Sequence, residues 1–247
     1  MAIIEVRDLW KKFRLRADRS DNFCKYLIER ARKSPNPNKD FWALKEIDFE
    51  VQRGECLGII GVNGSGKSTL LKLLTGTLRP TRGEITVRGR RSSLIELGAG
   101  FHPDFSGRDN VLLNGLILGM PRKSIKQKFD EIVAFAEIEQ FIDVPVKYYS
   151  TGMQMRLGFS VATALEPELL IVDEVLAVGD ISFRQKCMSR IQSMRRKGTS
   201  VLLVSHSMGD IEAICNEAIW LHNGKMAGYG RAKDITKEYL TSQGIIA

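Results

Sequence analysis

Between the apolar runs Cys56-Leu57-Gly58-Ile59-Ile60 and Leu70-Leu71-Lys72-Leu73-Leu74 stands Gly61-Val62-Asn63-Gly64-Ser65-Gly66-Lys67-Ser68-Thr69. No other feature restricts the fold so tightly, because a strand, a glycine-rich loop and a helix in that order form the context a phosphate-binding loop requires. Gly61, Gly64 and Gly66 let the backbone wrap an anion, and the loop amides and the positive end of the helix face one cavity. Lys67 reaches the β- and γ-phosphates, and the Ser68 hydroxyl is set to coordinate Mg²⁺. A glycine-rich stretch alone reads as an ordinary turn; G-x4-G-K-S complete between strand and helix does not. Asn63, Ser65 and Thr69 join the glycines, Lys67 and Ser68 as candidate nucleotide-binding residues.

A second apolar run, Leu169 to Val172, ends in two carboxylates. Asp173 is placed to hold Mg²⁺ through its water shell, and Glu174 to polarise a water for in-line attack on the γ-phosphate. Such a pair alone is more often the start of a solvated loop. Its position after the phosphate-binding loop reverses that reading.

Between these segments, Tyr149-Ser150-Thr151-Gly152-Met153-Gln154-Met155-Arg156 resembles the L-S-G-G-Q-x-Q-R signature of ATP-binding cassette (ABC) ATPases. Ser150 and Gly152 open a helix expected to run to Glu166, just before Pro167, and its N-terminus is a second anion site. The resemblance implies an ATPase using ATP and Mg²⁺. It also implies a head-to-tail homodimer with two nucleotides sandwiched between the chains, each phosphate loop facing the partner's Ser150, Thr151 and Gly152. Ser205-His206, at the end of the apolar run Val201 to Val204, resembles the switch histidine that contacts the γ-phosphate. Ala177-Val178-Gly179-Asp180 resembles the loop that crosses the dimer interface.

The chain departs from the family pattern twice. No Gln occupies the glutamine-loop position before Gly100-Phe101-His102-Pro103; the register gives Leu97, and the neighbouring Glu96 is the substitute assigned to orient metal or water. Thr151 replaces a Gly and Met153 a Gln, which leaves the helix N-terminus intact. These segments, with Phe41-Trp42-Ala43-Leu44, resemble the ATPase subunits of bacterial O-antigen and teichoic-acid exporters over essentially the whole chain. The resemblance implies two transmembrane permease subunits, lipid-linked polysaccharide as cargo, and a place on the cytoplasmic face of the membrane. The family docks its membrane subunit near Phe101 to Asn114 and stacks an N-terminal aromatic on adenine, for which Phe13 and Phe41 are the candidates beside Trp42. Some exporters of this branch carry a further C-terminal domain; whether this chain lacks one or is a piece of a longer protein stays open.

Length and charge bound the rest. With 247 residues and 43% apolar content, one α/β domain is expected: a P-loop NTPase (RecA-like) core with an antiparallel β subdomain and a helical subdomain at about 96–165. No run reaches the roughly 20 apolar residues of a membrane span. The four cysteines are scattered, as in reduced cytosolic proteins rather than a disulfide framework or metal site. Of the net charge of +8, an excess of seven lies between Lys11 and Lys39. This basic insertion, at about 14–40, contains Phe23, Tyr26, Leu27 and Ala31 at helical spacing and reads as an amphipathic helix stopped by Pro35-Asn36-Pro37. Its basic face suits anionic headgroups or a phosphate-bearing substrate. Nucleic acid is not expected as a partner. The alternatives are a soluble ABC ATPase acting on nucleic acid or ribosomes, which would usually carry two cassettes or a long coiled-coil insertion, and a subunit of a drug or lipid exporter.

Overall fold

The computed structural model describes residues 1–16, 38–94, 100–173 and 180–245. Glu96, Glu174, Cys24 and the expected amphipathic helix of the insertion lie outside them.

Among the described residues, two sheets carry the architecture. β1 (Ala2–Arg16) pairs antiparallel with β2 (Asn38–Gln52) and, on its other edge, with β4 (Arg82–Val87). The β1–β2 ladder continues to Arg14↔Asp40 and Arg16↔Asn38, so 14–16 and 38–40, at the two ends of the basic stretch, are strand, while 17–37 lie outside the described residues. Among the described residues the second sheet comprises β5 (Arg91–Ser93), β6 (Leu169–Val172), β7 (Ser200–Val204), β3 (Cys56–Ile60), β8 (Glu217–His222) and β9 (Lys225–Arg231), in that spatial order. The first five run parallel and β9 returns antiparallel on β8.

The continuous apolar runs of β3, β6 and β7 follow from burial on both faces. Side chains alternate: Leu57, Ile59 and Ile171 enter a core shared with the antiparallel sheet and α1 (Lys67–Leu74), whereas Ile60, Leu170 and Leu203 face a second core. That second core is closed by α4 (Thr151–Ala164), α5 (Ile181–Arg196), α6 (Met208–Ile214) and α7 (Ala232–Ser242). Burying each Leu or Ile contributes about 1.5–3 kcal/mol against chain entropy.

A separate helical lobe packs α2 (Gly107–Ile117) and α3 (Arg122–Ala136) against α4 around Val111, Ile132 and Val161. α4 belongs to both cores: Leu157 and Val161 face the lobe, Phe159 and Ala162 the sheet. The signature helix is thereby the mechanical link between the two parts.

Candidate functional site

Strand register gathers the candidate residues. Ile59 pairs with Val204, and Val172 with Leu203, so β3, β7 and β6 end level. The chain leaving these strands is Gly61 in the phosphate loop, Ser205-His206, and Asp173, respectively. Neighbouring strands lie about 4.8 Å apart, so His206 leaves the sheet between the phosphate loop and Asp173. β5 ends on the same edge, where Leu94 N donates to Ile171 O at 2.8 Å.

Within the loop, Gly61, Gly64 and Gly66 have φ of 148°, 80° and 111°, in the region that favours glycine. Space also matters at Gly61, where a Cβ would sit 2.3 Å from Leu221 O. At Gly64 an added Cβ would meet nothing within 4 Å, so there only the backbone conformation demands glycine. Gly66 caps α1 without a side chain, which leaves the first-turn amides to an anion. Lys67 is buried and its Nζ donates to Gly61 O at 2.8 Å and Val62 O at 3.1 Å, folded over its own loop. Asn63, Gly64 and Ser68 are exposed on the open side, whereas Ser65 is buried. The glycine-bent loop, Lys67 and the α1 terminus fit a polyphosphate, and the Ser68 hydroxyl and the Asp173 carboxylate are each hard oxygen donors of the kind that suits Mg²⁺.

The signature lies at the start of α4. Ser150 is its N-cap, with Oγ accepting from Met153 N at 3.2 Å. Thr151 is exposed and Gly152 half-buried, and the helix ends at Ala164, two residues short of the expected Glu166. Tyr149 anchors the approach, donating from Oη to Phe141 O at 2.7 Å.

Phe13 and Phe41 face each other as direct partners in the β1–β2 ladder, and Phe41 is 50% exposed. Trp42 is engaged elsewhere, edge-on to Trp10 at 5.4 Å. Of the expected docking stretch, His102 to Phe105 is exposed and held by the fully buried Asn110, which accepts from His102 N at 2.7 Å and donates to Phe105 O at 3.1 Å.

One constellation was not foreseen. Arg156 donates from Nη1 to Glu137 at 2.6 Å and from Nη2 to Asp180, and its guanidinium lies 4.7 Å from the Phe183 ring centre. Lys186 adds a 2.8 Å bond to Glu137. The Ser182 hydroxyl and the Phe183 amide, with Arg156 behind them, hold the Asp180 carboxyl down at about 2. Lys186, then Arg156, lower that of Glu137. The family signature placed Arg156 and Asp180 in separate motifs; no spacing in the chain signals their pairing.

The pattern of the ABC transporter family matches residues 44–177, more than half of the chain. The chain belongs to the ABC transporter family. The cassette is 45% identical over 243 residues to the O-antigen export system ATP-binding protein RfbB of Myxococcus xanthus, covering 97% of this chain and 56% of that one. It is 46% identical over 201 residues to RfbB of Klebsiella pneumoniae, covering 81% and 82%. It is 43% identical over 237 residues to the teichoic acids export ATP-binding protein TagH of Lactococcus lactis, covering 96% and 50%. The chain thus spans about half the length of two of these relatives.

Two solved structures show the fold. The cassette matches an ATP-binding subunit of an ABC transporter with a TM-score of 0.76 at 23% identity, covering 98% of this chain and 94% of that one. It matches a dimeric ATP-binding cassette in a post-hydrolysis state, bound to ADP and Pi, with a TM-score of 0.73 at 19% identity, covering 93% and 98%. Among the described residues no helix is long and apolar enough to cross a membrane.

Proposed function

We propose that this chain is the ATP-hydrolysing subunit of an exporter that moves lipid-linked polysaccharide, of the O-antigen or teichoic-acid type, across the cytoplasmic membrane. It works as a homodimer at the cytoplasmic face, closed on two ATP and paired with two transmembrane permease subunits. The observation that carries this reading is the 43–46% identity, over most of the chain, to ATP-binding proteins of those export systems.

In this reading the loop amides and Lys67 hold the β- and γ-phosphates, giving up the lysine's bonds to Gly61 O and Val62 O. Ser68 and Asp173, with Glu96, hold Mg²⁺, which when bound neutralises charge on the phosphate oxygens. Glu174 takes a proton from the attacking water, and His206 donates to the γ-phosphate as charge develops. Ser150, Thr151 and Gly152 of one copy close over the nucleotide of the other. Phe41, with Phe13 opposite it, offers a ring face to adenine. His102 to Phe105 meets the permease.

The test is to purify the Glu174→Gln chain with ATP from native membranes in mild detergent and identify what accompanies it. A small multi-span membrane protein with lipid-linked sugar is expected. Nucleic acid or ribosomes without a membrane protein would overturn the reading.

A further inference from the structure

The β8–β9 turn, Asn223-Gly224, touches both the phosphate loop and β2. β8 runs parallel to β3 with Ile60 opposite Trp220, so it ends at the edge where the phosphate loop begins. There Gly224 N donates to Ser65 O at 3.0 Å, and Gly224 O accepts from Lys45 N at 2.8 Å. One residue therefore bridges the phosphate loop and β2, the strand that presents Phe41.

The packing around this bridge leaves no slack. A Cβ on Gly224 would sit 2.6 Å from Ala43 O, and one on Gly66 2.9 Å from the same oxygen. Gly224 has φ of 77°, and Asn223, before it, 49°. Lys225 then ties the turn to β2 through Glu46 at 2.8 Å. Three backbones, from β2, the phosphate loop and the turn, meet within contact distance at two glycines.

We infer that Gly224 is a positioning residue for nucleotide binding: its turn holds the phosphate loop at a set distance from β2 and so sets the affinity for nucleoside di- and triphosphates. The inference rests on the phosphate loop being the nucleotide site. A loop anchored from outside binds without first being ordered, so losing the anchor weakens binding rather than the chemical step.

Two measurements on the full chain test it. In hydrogen exchange with ADP, which leaves the γ-phosphate position open and so does not clamp a second copy, the Gly224 and Lys45 amides slow along with the phosphate loop. Protection of the loop without any at Gly224 and Lys45 overturns the inference alone. No protection anywhere removes the nucleotide reading and the inference together. In the second, Gly224→Ala raises the KM for ATP about tenfold with kcat within about twofold. The comparison is Gly119→Ala, equally strained at φ of 86° but with nothing within 4 Å of its Cβ and placed between α2 and α3 of the helical lobe. Equal effects of the two substitutions, or a fall in kcat with KM unchanged, reject a positioning role.

Discussion

The guanidinium of Arg156 hydrogen-bonds the carboxylate of Asp180, joining the signature helix to the first residue described after the segment that carries Glu174. Through its other nitrogen Arg156 also grips Glu137, which closes α3 in a left-handed conformation at φ of 57°. The helical lobe, the signature and the start of α5 are thus pinned at one side chain.

Arg156→Ala should lower the thermal midpoint by about 2–4 °C. Most of this comes from the lost Phe183 contact and apolar stem, since the carboxylates are half exposed and solvent screens them. Arg156→Lys should recover only part of it, because an ammonium cannot fork between two carboxylates. Differential scanning calorimetry of the three proteins checks this, and full recovery with Lys would reject the two-carboxylate geometry.

The same cluster sets a pH dependence. Folding lowers the carboxyl pKa of Asp180 from 3.8 to about 2, and that of Glu137 from its ordinary 4.5. Groups with depressed folded values stabilise the protein above their unfolded pKa and lose that contribution as pH falls through the folded one. The stability gap between wild type and Arg156→Ala should be full at pH 7 and shrink from about pH 4.5 towards pH 2. A gap independent of pH would mean that Arg156 contributes only by packing, since Ser182, the Phe183 amide and Lys186 keep their bonds in the variant.

Ser150 caps α4 and is proposed to meet a partner's γ-phosphate, and substitution can separate these two roles. Ser150→Ala removes the α4 cap and should cost about 1 kcal/mol, whereas Ser150→Gly should cost only a few tenths. If the hydroxyl also meets a partner's γ-phosphate, both variants lose ATPase activity alike despite their different stability. Paired urea melts and ATPase assays decide, and activity that tracks stability would leave Ser150 a cap only.

Glu174→Gln should reduce turnover by a factor on the order of 10² or more while ATP binding persists, so the variant accumulates as an ATP-bound dimer. Size-exclusion chromatography with and without ATP, beside a phosphate-release assay, is the check. Near-wild-type turnover would remove Glu174 from the role of base.

Gly58 lies under α6, where an added Cβ would meet Ile211 Cγ2 at 2.9 Å and Cδ1 at 3.0 Å. Gly58→Ala should destabilise by about 1–3 kcal/mol through overpacking. Ile211→Val in the same chain removes Cδ1 and should recover part of that loss. Absence of recovery would place the strain in the backbone of β3 instead.

Local chemistry made part of this protein legible from its sequence. The phosphate loop is a strand, three glycines and a helix within one short segment, so its conformation follows from neighbouring residues. Ser150 announces the start of α4 because an N-cap needs only an oxygen three residues before an amide, and the Ser150–Met153 bond is where that rule puts it. The strands carrying Leu169 to Val172 and Ser200 to Val204 are legible as apolar runs buried on both faces. The order in which these strands stand is not, because hydrogen bonds between strands carry no fixed spacing along the chain. Only the folded sheet, by inserting β7 between β6 and β3, sets His206 between Asp173 and the phosphate loop. The pairing of Phe13 with Phe41 depends likewise on hairpin register, Arg156 meets Asp180 only because α4 packs beside α5, and Gly224 reaches Ser65 only because β8 ends beside β3. Sequence determined the pieces proposed to bind and react, since each is built from near neighbours; tertiary packing alone decided their mutual positions, since those rest on contacts between residues 24 to 159 positions apart.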